Sequence, residues 1–257
     1  IDEQYEVQGI GSRTSSSLGL DPERITGWRA GNITTFDQIF GENDHALIRT
    51  TLFRNKIDDE IFKATGVGCA AQTADVSMST ACGPNMPNYR NIGSVTIKGF
   101  EVESFYESTY LFGSLSYAWM TGKHEGAYTN PWGPDVWARD VPAPKWIAVL
   151  GTKIPSLDAR VGWKGEFVRK TDRLPSDQYG PGPLTALGDR YWDHYANDGY
   201  NVQGLFANWK PQQAYLKGTE VNFTVDNLFN KSYRPMLSGD NAYSQGRNAK
   251  ISVTRFF

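Results

Sequence analysis

Two sets of side chains with opposite chemistry alternate between Thr219 and Asp226: Thr219, Val221, Phe223 and Val225 take one parity, and Glu220, Asn222, Thr224 and Asp226 take the other. Successive side chains of a strand point to opposite faces, so this strand has one apolar and one charged face. The pattern returns at Ala159, Val161, Trp163, Gly165 and Phe167 against Arg160, Gly162, Lys164 and Glu166. It returns again near the end, where Ala249, Ile251, Val253 and Phe257 alternate with Asn248, Lys250, Ser252 and Thr254, and Arg255 interrupts the apolar set. Weaker strands fall at about 24–38, 46–62, 89–106, 110–121, 144–153 and 199–209, which brings the expected number to nine. Repeated strands of this kind need an apolar medium on one side and water on the other.

The connections between these strands come in two kinds. Short ones read Phe40-Gly41-Glu42-Asn43-Asp44, Glu107-Ser108-Thr109, Ile154-Pro155-Ser156-Leu157 and Lys210-Pro211-Gln212-Gln213, while long ones cover about 64–88, 122–142, 172–198 and 230–245. Short and long alternate strictly, the signature of a membrane barrel with tight turns on the periplasmic side and long loops outside the cell. A soluble β-sandwich also alternates, but it requires neither one-sided long loops nor 13 Phe, 13 Tyr and 8 Trp, many near strand ends. We therefore expect an all-β chain forming part of a transmembrane antiparallel β-barrel, with residues 24–257 as strands, turns and loops and residues 1–23 as an extracellular loop. Nine is odd, and an open sheet in lipid leaves two edges of unpaired backbone groups, so the reading calls for further strands to close the cylinder.

Composition narrows the alternatives. A formal net charge of −2 and a pI near 6.0 supply no basic excess for nucleic acid. With a mean hydropathy of −0.49 there is no apolar run of the roughly 18 residues a spanning helix needs. The chain holds no nucleophile elbow, zinc motif or phosphate-binding glycine loop, and we expect neither an enzyme nor a metal site. Cys69 and Cys82 lie within one Gly/Ala/Ser/Thr-rich stretch, a spacing that suits a loop disulfide in an oxidising compartment.

The segment Val225-Asp226-Asn227-Leu228-Phe229-Asn230-Lys231-Ser232-Tyr233, followed by Gly246-Arg247-Asn248 and a strand ending on Phe257, resembles the C-terminal signature of TonB-dependent outer-membrane receptors. Arg54 to Ile61, Tyr89 to Gly93 with Lys98 to Glu103, and Val141-Pro142-Ala143-Pro144-Lys145-Trp146 resemble the same family in the same order. The resemblance implies a 22-stranded barrel in the bacterial outer membrane, of which this chain supplies about nine C-terminal strands. It also implies an N-terminal plug, a contact with TonB and uptake energised from the inner membrane. Within the family, Tyr233 to Gly239 and Gly246 to Lys250 look most like receptors for haem, haemoglobin and haemophores. Their Asn-Pro-Asn-Leu box and the Lys-Pro-Glu that follows it correspond here to Ser17-Leu18-Gly19-Leu20-Asp21-Pro22-Glu23, of which only Leu20, Pro22 and Glu23 agree.

These resemblances make haem, free or carried by an extracellular haemophore or haemoprotein, the expected ligand. A ferric siderophore is the alternative within the class, and a passive channel the alternative outside it. Haem iron takes an axial His or Tyr, which singles out His124 and His194 in expected extracellular loops and Tyr5 in the loop the family uses for haem, while His45 falls in an expected periplasmic turn. Trp132, Trp137, Tyr191 and Trp192 are aromatic loop residues suited to gripping a partner. Arg160, Lys164, Glu166, Glu101, Glu103, Glu220 and Asp226 are expected on the interior wall, against the plug or hydrated space.

Overall fold

The computed structural model describes residues 20–63, 89–125, 137–138, 141–171, 198–213, 215–235 and 243–256. Among these residues, nine antiparallel strands form one sheet in strict chain order: β1 (Arg24–Asp37), β2 (His45–Lys63), β3 (Tyr89–Glu107), β4 (Leu111–Glu125), β5 (Lys145–Ile154), β6 (Ala159–Val168), β7 (Tyr200–Trp209), β8 (Thr219–Asp226) and β9 (Asn248–Arg255). Every strand pairs with its sequence neighbours, so the chain is a meander. The sheet is open among the described residues, with β1 and β9 at its edges.

Directly paired residues share a face, which lets the register carry a face assignment across the whole sheet. Starting from Val221, Phe223 and Val225, one face collects Leu205 and Trp209, Val161, Trp163 and Phe167, Trp146 and Leu150, Leu115, Tyr117 and Trp119, then Phe100 and Val102, Leu52 and Ile48, and Trp28. Ala249, Ile251 and Val253 complete it on β9. This outward face lies open: Leu150 is 61% exposed, Ile251 70% and Val253 65%. The buried apolar side chains among the described residues are Val95, Ala138, Ala143 and Val168, so within these residues the outward face has no sealed centre to fill. Its natural solvent is hydrocarbon.

Aromatic rings concentrate where this face nears the long connections. Tyr117 stacks on Trp146 with ring centroids 4.0 Å apart, and Phe100 touches both Tyr117 (5.6 Å) and Trp119 (5.8 Å). Amphipathic rings at that height form the girdle that marks a membrane interface.

The inner face carries a different device. Phe112, Gly151, Gly162 and Phe206 are direct partners across β4 to β7, and the two rings lie over the two glycines with centroids 6.1 Å apart. A Cβ at Gly151 would run into the Phe112 ring, and one at Gly162 into Phe206. The glycines make room for rings that would otherwise stand away from the wall.

Each short connection is closed by its own residues. Asp44 is buried at the first turn, where its carboxylate accepts the backbone N–H groups of Ile39 and Phe40, each at 2.7 Å, and the Tyr106 hydroxyl at 3.1 Å. Burial would push this carboxyl up, but those donors outweigh it and hold its pKa below the ordinary value. A single 3₁₀ turn (Pro155–Leu157) joins β5 to β6, ended by Asp158 at φ 48°, a left-handed conformation that short Asp tolerates.

The structure corrects the sequence reading in two places. His45 opens β2 instead of lying in the turn, opposite Asp37, with Nδ1 2.6 Å from Asp37 Oδ1. The strand expected to stop at residue 121 continues to Glu125, so His124 belongs to β4 and not to an extracellular loop. Trp137 stays in the connection between β4 and β5, where it forms an isolated antiparallel bridge with Lys123.

Candidate functional site

Facing away from the apolar belt, the inner wall carries ion pairs at intervals along its height. Arg49 meets Glu103 at 3.2 Å, Lys153 meets Glu107 at 2.5 Å, and Lys210 meets Glu220 at 3.2 Å. Asp226 is shared by Lys164 at 2.6 Å and Lys250 at 3.3 Å. Asn208 adds a hydrogen bond to Glu220 at 2.8 Å. The register places Arg160, Lys164 and Glu166 of β6, Glu101 and Glu103 of β3, and Glu220 and Asp226 of β8 on this face, as expected. Pairs as hydrated as Lys164 with Asp226, whose side chains are 44% and 35% exposed, contribute at most about 1 kcal/mol each. Their office is to make the wall wettable.

Toward the long connections the inner wall acquires a cavity of about 310 Å³, lined in part by Lys164, Glu166, Asp226, Asn227 and Tyr233. Asn227 builds its roof. Buried and at φ 49°, it donates its side-chain amide to the carbonyls of Lys231 (2.8 Å) and Gln245 (3.1 Å), and its Oδ1 accepts the Lys231 N–H at 2.8 Å. Asn230, also left-handed, accepts the Arg247 N–H at 2.8 Å. Two of the lining residues meet at Tyr200, behind the cavity: its hydroxyl donates to Glu166 at 2.9 Å and its ring lies 4.3 Å from that of Tyr233. The volume suits a small polar group or an inserted side chain.

His124 lies higher on the same inner face, opposite Val95, with Nδ1 2.9 Å from Glu60 Oε2. The two atoms are close but not aligned as a hydrogen bond, and the contact is ionic only when the imidazole is protonated. Asp59, at φ 57°, breaks the alternation just before Glu60. Trp137 sits beneath the Lys123 ammonium, 4.4 Å from the ring centroid. The other singled-out residues, Tyr5, Trp132, Tyr191, Trp192, His194, Cys69 and Cys82, lie outside the described residues. Sequence reasoning named Glu166 and Asp226 for the wall but missed Tyr233 and Asn227 as lining of a cavity, and Tyr200 as the partner of Glu166. The Asp226-Asn227 pair at a strand end was the available signal.

A meander with an oily outer belt, an aromatic girdle and an ion-paired wet interior is a wall segment of an outer-membrane β-barrel. The chain belongs to the family described as TonB dependent receptor-like, beta-barrel, whose model matches residues 2–228. Among curated relatives, TonB-dependent heme receptor A of Haemophilus ducreyi is 42% identical over the whole of this chain, which covers 34% of that protein. The chain thus spans about a third of the relatives it matches. Among solved structures, the FrpB iron transporter of Neisseria meningitidis superposes with a TM-score of 0.63 at 19% identity, over 94% of this chain and 32% of that one. The hemophore receptor HasR of Serratia marcescens, solved with its hemophore HasA and heme, gives 0.60 at 18% identity, over 93% and 32%. At such identities the solved structures speak to the fold.

Proposed function

We propose that the receptor containing this chain imports haem across the outer membrane, taken free or from a haem-carrying protein. The observation that carries the reading is the 42% identity, over the full length of this chain, to a protein named as a TonB-dependent heme receptor. In this reading the nine strands are a wall and not a catalyst. The plug and the TonB contact belong to the part of the relatives that this chain does not span, and residues 1–23 form an extracellular loop. His124, on the inner face of β4 opposite Val95, is proposed as an axial ligand. His194 and Tyr5 are further candidates on sequence grounds, as are Trp132, Trp137, Tyr191 and Trp192 for gripping a protein partner. A Cys69–Cys82 disulfide is proposed from spacing alone, and thiol alkylation with and without reductant tests it.

Absorbance titration of the intact receptor with haem tests the substrate. A Soret shift that saturates at one equivalent is expected, reduced in His124→Ala or His194→Ala according to which residue ligates. No shift, with retention of a ferric siderophore instead, sinks the haem reading. Loss of growth on haem in a strain lacking TonB is expected from the energised reading, and unimpaired growth refutes it.

A further inference from the structure

Above the aromatic girdle the outward face becomes cationic. The row Leu52, Phe100, Trp119 is followed toward the long connections by Arg54, Lys98, Thr121 and then by Lys56, Thr96, Lys123, each set directly paired across β2, β3 and β4. Arg54 and Lys98 are cross-strand partners, both exposed, with no carboxylate in ion-pair distance among the described residues. Like charges directly opposed in a sheet destabilise it unless an anion lies between them. Lys56 is already held by Asp58 at 2.7 Å, and Lys123 by the Trp137 ring.

These groups surround a cavity of about 540 Å³ whose lining includes Arg54, Lys98, Lys123, Thr96 and Thr121, with Glu125 the carboxylate among the lining residues. The hydroxyls of Thr96 and Thr121 are buried and have no hydrogen-bond partner among the described residues. Trp119 and Trp137 complete an aromatic edge. An unneutralised cation pair, two unsatisfied hydroxyls and an aromatic border are the complement of a phosphate group on a lipid. The site is on the lipid side of the wall, so neither a plug nor a transported solute inside the barrel can reach it.

We propose that this cavity binds the phosphate-bearing headgroup of an outer-leaflet lipid, Arg54 and Lys98 clamping the phosphate while the acyl chains run down over Phe100, Trp119 and Leu52. Its height supports this occupant: cations one row above the girdle meet headgroup phosphates, and guanidinium and ammonium donors bind phosphate through charge-assisted hydrogen bonds.

The test uses the full-length receptor in detergent, with bound lipid read by native mass spectrometry after addition of diphosphorylated lipid A. Retention by the wild type is expected to fall at least about tenfold in Arg54→Glu/Lys98→Glu, as loss of two surface cations predicts, and to stay unchanged in Lys217→Gln at a periplasmic turn. Heat-modifiable migration checks that each variant is folded; if the reversal does not fold, Arg54→Gln/Lys98→Gln replaces it with the same expectation. Equal retention by wild type and folded variant overturns the proposal. So does displacement of lipid A by millimolar inorganic phosphate, which would make this a free-anion site, or undiminished retention of lipid A stripped of its phosphates.

Discussion

Strands β2 and β3 run to 19 residues and β4 to 15, whereas β5, β6 and β7 stop at 10 and β8 and β9 at 8. Roughly 9 to 11 tilted residues cross a bilayer, so the short half is cut to membrane thickness and the tall half stands above it. The chemistry changes at the same height. In the short half the outward parity is apolar or aromatic along most of each strand. In β2 to β4 it turns to Arg54, Lys56, Asp58, Lys98 and Lys123 once the girdle is passed. A strand's outward face is therefore dictated by its solvent, and the length of the apolar stretch measures the lipid.

The comparison is broken most directly by placing the same charge in both halves. Leu150→Arg, mid-belt on β5, is expected to cost about 2–4 kcal/mol on refolding the intact receptor into lipid vesicles. Ser94→Arg lies on the same outward face of β3, flanked by Asp58 and Glu125 as direct partners. It should cost no more than about 1 kcal/mol. Equal penalties would mean that the tall half is also in lipid, and the height argument fails.

Next in size is the glycine row of the short half. Gly151→Ala drives a methyl into the Phe112 ring and toward the Val161 carbonyl, and overpacking of that kind costs about 1–3 kcal/mol. A neutral result in the same refolding assay would show that the ring does not lie over the glycine. Smaller again is Asp226→Asn, which weakens two hydrated pairs at once yet should lower stability by under about 1 kcal/mol, by an amount that shrinks further in high salt. A salt-independent loss would mean the pair is sealed from water and the wall is dry.

The one-sided long connections were legible from their lengths and the two faces from period two, because lipid punishes a polar residue on the outward face. The same logic explains the miss at β4. Thr121-Gly122-Lys123-His124-Glu125 is polar on both parities, and above the bilayer nothing requires either face to be apolar, so hydrophobicity cannot mark the strand there. The Phe112–Gly151–Gly162–Phe206 row and the Arg54–Lys98 pair were hidden for another reason. Each depends on which residues stand opposite one another across strands, and a register set by pairing over long loops leaves no trace in local composition.

The smallest effect sits at the opposite end of the wall, in the turn joining β1 to β2. Asp44 spends one carboxylate oxygen on the Ile39 N–H and the other on the Phe40 N–H, and its pKa lies below the ordinary 3.8. A depressed carboxyl stabilises the turn at every pH above its unfolded value, and that contribution disappears as pH falls through the folded one. An Asn at this place has one acceptor where two are needed. Amide exchange at Ile39 and Phe40 should accordingly be faster in Asp44→Asn than in the wild type at neutral pH, and the two should converge as the wild-type carboxyl protonates below about pH 4. A gap that persists unchanged through the acid range would assign the turn's order to the Tyr106 contact and the tight backbone, with no part for the charge.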